Sequence, residues 1–256
     1  MISTNPSDDI RDFVSFLKET VGSDVLRDCA GASPRDIDDL VALCRMPLPP
    51  LYLAYLREFG QNDGILKMAD DADPRVTRLI EFYREQGGKS ESDVPANGVV
   101  IGVYGLSGDR ALLYPEQSRN VPRADSSGEP RVVVSWWGEV GHTIAATFRN
   151  HLYRQAFVRG RFRDGSLFSL YRNDEYVLPE AEVLAAELGF QRYWFSDDYQ
   201  ACLTRPDKAA LYIVRNPSRT TLYGRFADTR VRDDATRHFV QQLNLQDSSA
   251  AASTRR

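Results

Sequence analysis

The chain has 256 residues, of which 42% are hydrophobic and 27% charged, with a mean hydropathy of −0.41. This is the composition of a globular protein, and the length is enough to bury a core as one large domain or two modest ones. The formal net charge of −4 argues against nucleic acid as the main ligand, because phosphate binding draws on surplus positive charge.

The start of the chain and its cysteines predict a cytoplasmic protein. The opening MISTNPSDDI lacks the basic and apolar regions of a secretory leader, and no apolar run approaches the roughly 18 residues of a membrane span. Cys29, Cys44 and Cys202 lie far apart in sequence, and an odd number of cysteines without a framework is typical of reduced thiols. We therefore expect no membrane partner.

The first part of the chain predicts helices, because its apolar residues recur at helical spacing. One helix has Ser7 as its cap and ends near Gly22. The next has Ser33 as its cap and Pro34 at its first position, and Met46 ends it because the residue before a proline is driven out of the α region. The expected inward faces are Ile10, Phe13, Val14 and Leu17 in the first helix, and Ile37, Leu40, Val41 and Cys44 in the second.

The stretch MPLPPLYLAYLREFG, Met46–Gly60, predicts a corner between two helices that share a core. Pro47 stops one helix, and Leu48 can fill the corner. Pro49-Pro50 preset the first turn of the next helix. The residues expected to be buried in this third helix are Tyr52, Tyr55, Leu56 and Phe59.

The middle of the chain predicts a further helix, three strands and another helix. Asp73-Pro74 opens the helix, and its inward residues are Val76, Leu79, Ile80 and Tyr83. Strand-like runs follow at Val99–Tyr104, Ala111–Tyr114 and Val132–Trp137, with the first two joined as a hairpin. A helix is then expected at about Ile144–Val158.

From Gly160 onward the pattern becomes strand-rich. A strand and a helix that Pro179 begins precede four short strands and a last helix that carries Phe239, Val240 and Leu243. The expected strands are Ser166–Tyr171, Phe190–Phe195, Tyr199–Thr204, Ala209–Val214 and Thr220–Phe226. Helices and strands in blocks with short hairpin links predict an α+β fold, with an antiparallel sheet packed with helices and a smaller α+β C-terminal lobe.

The string GASPRDIDDLVALCRMPLPPLYLAYLREFGQNDGIL resembles the opening of the SUKH superfamily, bacterial immunity proteins related to a fungal regulator of cell-wall synthesis. Leu48-Pro49 supplies the family's proline step, Phe59 ends the aromatic-bearing helix, and Asn62-Asp63-Gly64 supplies the turn. Downstream, VVVSWWGE is similar to a later strand of the family and AATFRNHLYRQAF to its closing helix. The resemblance covers about residues 31 to 159.

The resemblance implies a domain plan and a binding function. Residues 1–30 would form a helical extension, 31–160 a SUKH-like domain, 161–245 a C-terminal α+β lobe and 246–256 a disordered tail. The family implies an immunity protein without enzymatic activity or cofactor, which binds a secreted toxin encoded by the adjacent gene and protects producing or kin cells. The alternative is a non-enzymatic regulatory or scaffolding module like the fungal relatives.

Motifs for catalysis or metal binding have little support. The string YGLSGD lacks the spacing of a nucleophile elbow, the histidines lack H-E-x-x-H spacing, and the cysteines lack C-x-x-C spacing. A Cys–His pair is conceivable, but Cys44 completes an apolar helical stripe and is therefore expected in a core. We predict no catalytic, cofactor-binding or metal-binding residues.

Two groups of residues are candidates for contact with a protein partner. Trp136 and Trp137 are adjacent on a predicted strand, so their side chains should point to opposite faces, and an exposed tryptophan would suit an interface. The acidic residues Asp63, Asp70 and Asp71 would suit a basic toxin. For the run Asp70, Asp71 and Asp73 the sequence favours the other interpretation, in which Asp73 caps the following helix and its neighbours interact with the helix dipole.

One basic segment has two interpretations. FRNHLYRQAFVRGRFRDG carries Arg149, Arg154, Arg159, Arg161 and Arg163 among aromatic residues, which suits nucleic acid superficially. Its aromatic residues follow helical spacing and the net charge is negative, so the sequence favours a solvated helix face and no direct contact with nucleic acid.

Overall fold

The computed structural model describes residues 6–70, 72–86, 98–104, 109–114, 129–136, 139–163, 166–173, 176–216 and 218–247. The chain divides into two compact units, Met1–Ala156 and Phe157–Arg256. Both units combine helices with an antiparallel sheet, so the predicted α+β class is confirmed. The domain bounds drawn from the family resemblance stay a prediction.

The helices of the N-terminal unit begin and end close to the predicted residues. Ser33 caps its helix as expected, because its Oγ accepts a hydrogen bond of 3.1 Å from the Asp36 N–H. The helices are α1 (Pro6–Val21), α2 (Pro34–Leu43), α3 (Pro50–Phe59), α4 (Val76–Gln86) and α5 (Phe148–Arg161), with a 3-10 turn at Ser23–Leu26. The division between the two units falls within α5.

The proline-rich corner between α2 and α3 packs as predicted. Leu48 is buried at the corner, and the four expected residues of α3 (Tyr52, Tyr55, Leu56 and Phe59) are buried. The Phe148 ring of α5 packs edge-on against the rings of Tyr52 and Tyr55, at centroid distances of 5.3 Å and 5.7 Å. The aromatic stripe of α3 is therefore the point where α5 docks.

The sheet of the N-terminal unit is an antiparallel meander. It consists of β1 (Val99–Val103), β2 (Asp109–Tyr114), β3 (Arg131–Trp136) and β4 (Glu139–Ala145), in that order. The predicted hairpin of the first two strands is confirmed. Helix α4 packs against β1, and the Tyr83 hydroxyl accepts a hydrogen bond of 2.9 Å from the Val100 N–H.

The C-terminal unit places two helices against one face of a second antiparallel sheet. Its core includes Leu170, Ile213 and Leu222 from the sheet with Ala181 and Phe239 from the helices. The elements are β5 (Ser166–Asn173), α6 (Leu178–Glu187), β6 (Gln191–Arg192), β7 (Gln200–Thr204), β8 (Ala210–Asn216), β9 (Arg219–Phe226), α7 (Thr229–Leu243) and β10 (Gln246–Asp247). The strand order is β10-β5-β9-β8-β7-β6.

Three predictions about single elements are wrong. Ile144 belongs to β4, and α5 begins only at Phe148, because the backbone of β4 pairs with β3 up to Ala145. Val41 is 43% exposed, and of the predicted inward face of α2 only Ile37 and Leu40 are buried. Cys44, expected in the core, is the half-buried C-terminal cap of α2.

The C-terminal unit differs from prediction at two places. The strand expected at 190–195 is reduced to β6, because only Gln191 and Arg192 pair with β7 before the chain turns. Gln246 and Asp247, expected at the start of a disordered tail, form β10 because their backbone pairs with Tyr171 and Leu170 of β5. The rest of the predicted tail lies outside the described residues.

Candidate functional site

Residues 62–70, which we call the acidic loop, contain two of the predicted partner-binding residues. The loop begins at Asn62, after α3, and has left-handed backbone angles at Gly64 (φ 58°), Lys67 (φ 45°) and Asp70 (φ 54°). This conformation costs a residue with a side chain about 1–2 kcal/mol. It persists where surrounding contacts fix the backbone, and two helices supply such contacts here.

Asp63 fixes the loop from the inside. Its buried carboxylate accepts hydrogen bonds from the Tyr55 hydroxyl (3.2 Å) and from the Met68 N–H (2.7 Å). Burial and the nearby Asp63 charge raise the pKa of Tyr55, so this hydroxyl remains a donor at neutral pH. The predicted partner contact of Asp63 does not fit this position, because its carboxylate faces the interior and holds the loop closed.

Helix α5 fixes the loop from the other side. His151 and Gln155 are one turn apart on α5, and both side chains donate to the Met68 carbonyl oxygen. The Gln155 amide also donates to Asp70 Oδ1, over 2.9 Å. The same turn of α5 therefore holds both the buried backbone of the loop and its surface carboxylate.

His151 acts as a neutral structural group. An Arg154 guanidinium nitrogen lies 2.8 Å from Nδ1 and must donate to it, so the ring proton is on Nε2, which donates to Met68. Burial and the positive charge of Arg154 lower the pKa of His151, while Asp70 opposes the shift. With both ring nitrogens engaged, His151 is not placed to act as a general base.

Asp70 presents a carboxylate at the surface in a fixed orientation. Its side chain is 45% exposed, and Arg154 lies 3.8 Å from Oδ2 while Gln155 holds Oδ1. This position suits the predicted role of Asp70 in contact with a basic partner. Asp71, predicted with it, lies outside the described residues.

Asp73 serves the local fold, as one of the two interpretations expected. Its carboxylate makes a bidentate contact with the Arg75 guanidinium and accepts from the Arg75 N–H, and these hydrogen bonds lower the pKa of Asp73. Its backbone pairs with Val103 of β1, the outermost strand on that side of the sheet. Asp73 therefore fixes the chain between the acidic loop and α4.

The tryptophan pair is described only in part. Trp136 is the last residue of β3, where its backbone pairs with Asp109 and Glu139. The side chain of Trp136 and the whole of Trp137 lie outside the described residues, so their roles stay a prediction. Trp194, predicted within a strand, lies in a turn two residues after the end of β6 and is 54% exposed.

Sequence reasoning missed the buried polar network of α5. Arg149 and Arg154 were expected on a solvated face, but their side chains are only 15% and 8% exposed. Arg149 makes a bidentate ion pair with Asp9 of α1, at 2.7 Å for both contacts, and a further pair with Glu129. Helical spacing could have indicated this network, because residues three or four apart lie on the same face of a helix. His151 and Arg154 are three residues apart, and His151 and Gln155 are four apart.

The thiols of the N-terminal unit are protonated at neutral pH. Burial and the charges of Asp63 and Asp28 raise the pKa of Cys29 to about 11, and burial raises that of Cys44. Among the described residues, no group of three or more His, Cys, Asp or Glu is placed to hold a metal ion. Across the same part of the chain, no helix is long and apolar enough to cross a membrane.

Comparison of the chain with family models, with curated proteins and with solved structures finds no match. The SUKH resemblance therefore stays a prediction. The geometry of the acidic loop provides binding chemistry: an ordered carboxylate at the surface, supported from behind by buried hydrogen bonds. Such a group pairs with the lysine or arginine of a partner.

Proposed function

We propose that this chain is a cytoplasmic immunity protein of SUKH type, which binds and neutralises a cognate secreted toxin encoded by the adjacent gene. It acts by stoichiometric binding, without catalysis or cofactor. The observation that carries the proposal is the acidic loop, whose Asp70 carboxylate is ordered at the surface by Gln155 and Arg154. The resemblance of residues 31–159 to the superfamily supports the class of partner.

Order in the acidic loop favours binding. A flexible loop loses conformational entropy when a partner binds, at about 0.5–1.5 kcal/mol for each immobilised side chain. Here the contacts of Asp63, His151 and Gln155 hold the loop in place before any partner arrives. A basic residue of the toxin can then pair with Asp70 without first ordering it, and the net charge of −4 assists the encounter with a basic surface.

The state of the polar side chains also supports binding over catalysis. Cys29 and Cys44 have raised pKa values and are poor nucleophiles at neutral pH. Both nitrogens of His151 are hydrogen-bonded within the fold. We therefore place function at the surface of the acidic loop.

The experiment is co-expression with the product of the adjacent gene, followed by titration calorimetry of the purified pair. We expect rescue of growth and a complex with a dissociation constant between about 1 nM and 1 μM. Absence of both rescue and association would refute the immunity function. Capture of several cellular proteins, without the adjacent gene product, would instead favour the regulatory or scaffolding alternative.

The variant Asp70→Asn tests the role of the loop within that complex. Asparagine tolerates the left-handed backbone of residue 70 and keeps an oxygen that can accept from Gln155, so the loop backbone is retained while the charge, and with it the ion pair with Arg154, is lost. A charged hydrogen bond contributes about 1.5–3 kcal/mol, so we expect affinity to fall roughly 10- to 150-fold. The matched control is Asp38→Asn, at an exposed position of α2. Equal affinities for the two variants would remove Asp70 from the interface.

A further inference from the structure

Arg131, the first residue of β3, has a buried charge and no carboxylate partner among the described residues. Its side chain is 3% exposed, and one guanidinium nitrogen donates to Thr143 Oγ1 over a long 3.4 Å. Its Nε is buried and has no hydrogen-bond acceptor in the structure as described. Within those same residues, no Asp or Glu lies within ion-pair distance of this guanidinium.

Arg149 and Arg154 of α5 have largely buried side chains, and each has a charged partner of the kind that Arg131 lacks among the described residues. Arg149 has Asp9 and Glu129, and Arg154 has His151 and Asp70. An arginine cannot lose its proton to escape burial, and an unpaired buried charge costs several kcal/mol. A negative charge close to Arg131 would therefore offset the cost of burying its guanidinium, and the described residues do not supply one.

The neighbours of Arg131 on the same face of β3 and β4 whose side chains the structure describes are neutral. Arg131, Val133 and Ser135 alternate along β3 and share one face, and Thr143 lies opposite Val133 on β4. The Ser135 hydroxyl is fully buried and has no hydrogen-bond partner in the part of the chain described. This face thus combines the Arg131 cation with the hydroxyls of Thr143 and Ser135, and the strand register places Arg110 of β2 opposite Ser135.

We propose that Arg131 binds a small oxyanion, either a phosphate-type or a carboxylate group. Its Nε and terminal nitrogens form the planar fork that matches two oxygens of such an anion, and the Thr143 hydroxyl is in place as a further donor. The site lies on the β-sheet and uses none of the residues of the acidic loop. It is therefore independent of the proposed toxin contact.

The test measures anion-dependent stability of the full-length chain. Of the three tryptophans, Trp194 lies in the C-terminal unit, so Trp194→Phe leaves Trp136 and Trp137 to report on unfolding of the N-terminal unit. Inorganic phosphate, sulfate and acetate are each titrated at constant ionic strength set with sodium chloride. We expect a saturable rise in Tm with at least one of them, and the responding anion identifies the oxyanion class.

Variants of Arg131 assign the effect to this residue. Arg131→Met should weaken the apparent anion affinity at least tenfold, and Arg131→Lys, which keeps the charge but loses the fork, should weaken it less. The control is Arg35→Met, at an exposed position of α2, which should respond like the parent. Without added oxyanion, Arg131→Met should be at least as stable as the parent, because it removes an uncompensated charge.

The same data can overturn the proposal. A Tm that no oxyanion raises in a saturable way, or that rises equally in the parent and in Arg131→Met, would exclude binding at Arg131. Should Arg131→Met fail to fold, direct titration calorimetry of the parent and of Arg131→Lys with the same three anions decides the question. Undetectable binding to the parent, or equal affinity for the two proteins, would then refute the site.

Discussion

Two aspartates of the acidic loop have opposite roles, although the sequence groups them together. Asp63 is buried and accepts from Tyr55 and Met68, whereas the Asp70 carboxylate is half exposed. Both were predicted as partner contacts on the basis of charge alone. Their burial separates them, so Asp63 should govern stability and Asp70 should govern binding.

The variant Asp63→Asn should destabilise the N-terminal unit. Both donors converge on Oδ2 of Asp63, so an asparagine oxygen can still accept from both, but these hydrogen bonds lose the negative charge that strengthens them. We expect a loss of about 1–3 kcal/mol in the free energy of unfolding. Urea unfolding in the Trp194→Phe background measures it, with Asp38→Asn, at an exposed position of α2, as the matched control. Equal stability of the two variants would contradict the role given to Asp63.

The neutral His151 should make the N-terminal unit less stable in mild acid. The pKa of His151 is lowered in the fold, chiefly by burial and then by Arg154, whereas an unfolded histidine titrates near ~6.5. Below that pH the unfolded chain takes up a proton that the folded chain does not. Stability should therefore fall as pH drops from about 6.5 to 5, by up to about 1.4 kcal/mol per pH unit.

The variant His151→Gln tests this dependence, because its amide can still donate to the Met68 carbonyl but does not titrate. We expect a flatter stability profile between about pH 6.5 and 5 than in the parent. Burial also lowers the pKa of His142, which is present in both proteins, so their difference isolates His151. Parallel profiles would show that His151 is protonated to the same extent in the folded and unfolded chains.

Among the elements of the fold, α5 makes contacts with three separate parts of the N-terminal unit. Its aromatic residue Phe148 packs on α3, His151 and Gln155 hold the acidic loop, and Arg149 pairs with Asp9 of α1. The docking of α5 thus determines where the Asp70 carboxylate lies. Disruption of its ion pairs should therefore lower the stability of the whole unit.

The variant Arg149→Met should be strongly destabilising. It leaves Asp9 and Glu129 without their partner, and removing one member of a buried ion pair costs about 3–5 kcal/mol. The double variant Asp9→Asn with Arg149→Met should recover part of this loss. The control is Arg11→Met, whose pair with Asp8 is exposed and should contribute less than about 1 kcal/mol. Equal urea midpoints for the two single variants would contradict the account.

Local patterns explain which elements could be predicted. Helices α2 and α3 combine a proline at the start with apolar residues at helical spacing, so Ser33 and Tyr52 took the expected roles. Strand β4 lacks such a signal: it includes Gly141, His142 and Thr143, and it pairs with β3 through irregular register. Its existence depends on the neighbouring strand, which local spacing does not reveal.

The polar parts of the site depend on contacts distant in sequence. Asp9 and Arg149 are 140 residues apart, and Met68 and His151 are 83 apart, so no local pattern pairs them. Arg149 and Arg154 therefore looked like surface residues. The Asp63 turn could be predicted, but its burial could not, because that depends on Tyr55 and on the path of the chain to Met68.

For the molecule as a whole, we propose that the N-terminal unit carries the binding surface. That unit carries the acidic loop, the proline corner and the residues that resemble the superfamily, and the C-terminal unit has a hydrophobic core of its own. The two units can be followed separately, because Trp194 lies in one and Trp136 and Trp137 lie in the other. Binding should therefore shift the unfolding reported by the N-terminal pair.

The most direct test is a titration of the activity of the proposed toxin, the product of the adjacent gene, with this protein, at a toxin concentration well above the dissociation constant. Stoichiometric neutralisation predicts that activity falls linearly and reaches zero at about one equivalent, with Asp70→Asn giving a shallower, curved titration. Full protection at a small fraction of one equivalent would indicate catalysis. Undiminished toxin activity in excess protein would refute the proposed partnership.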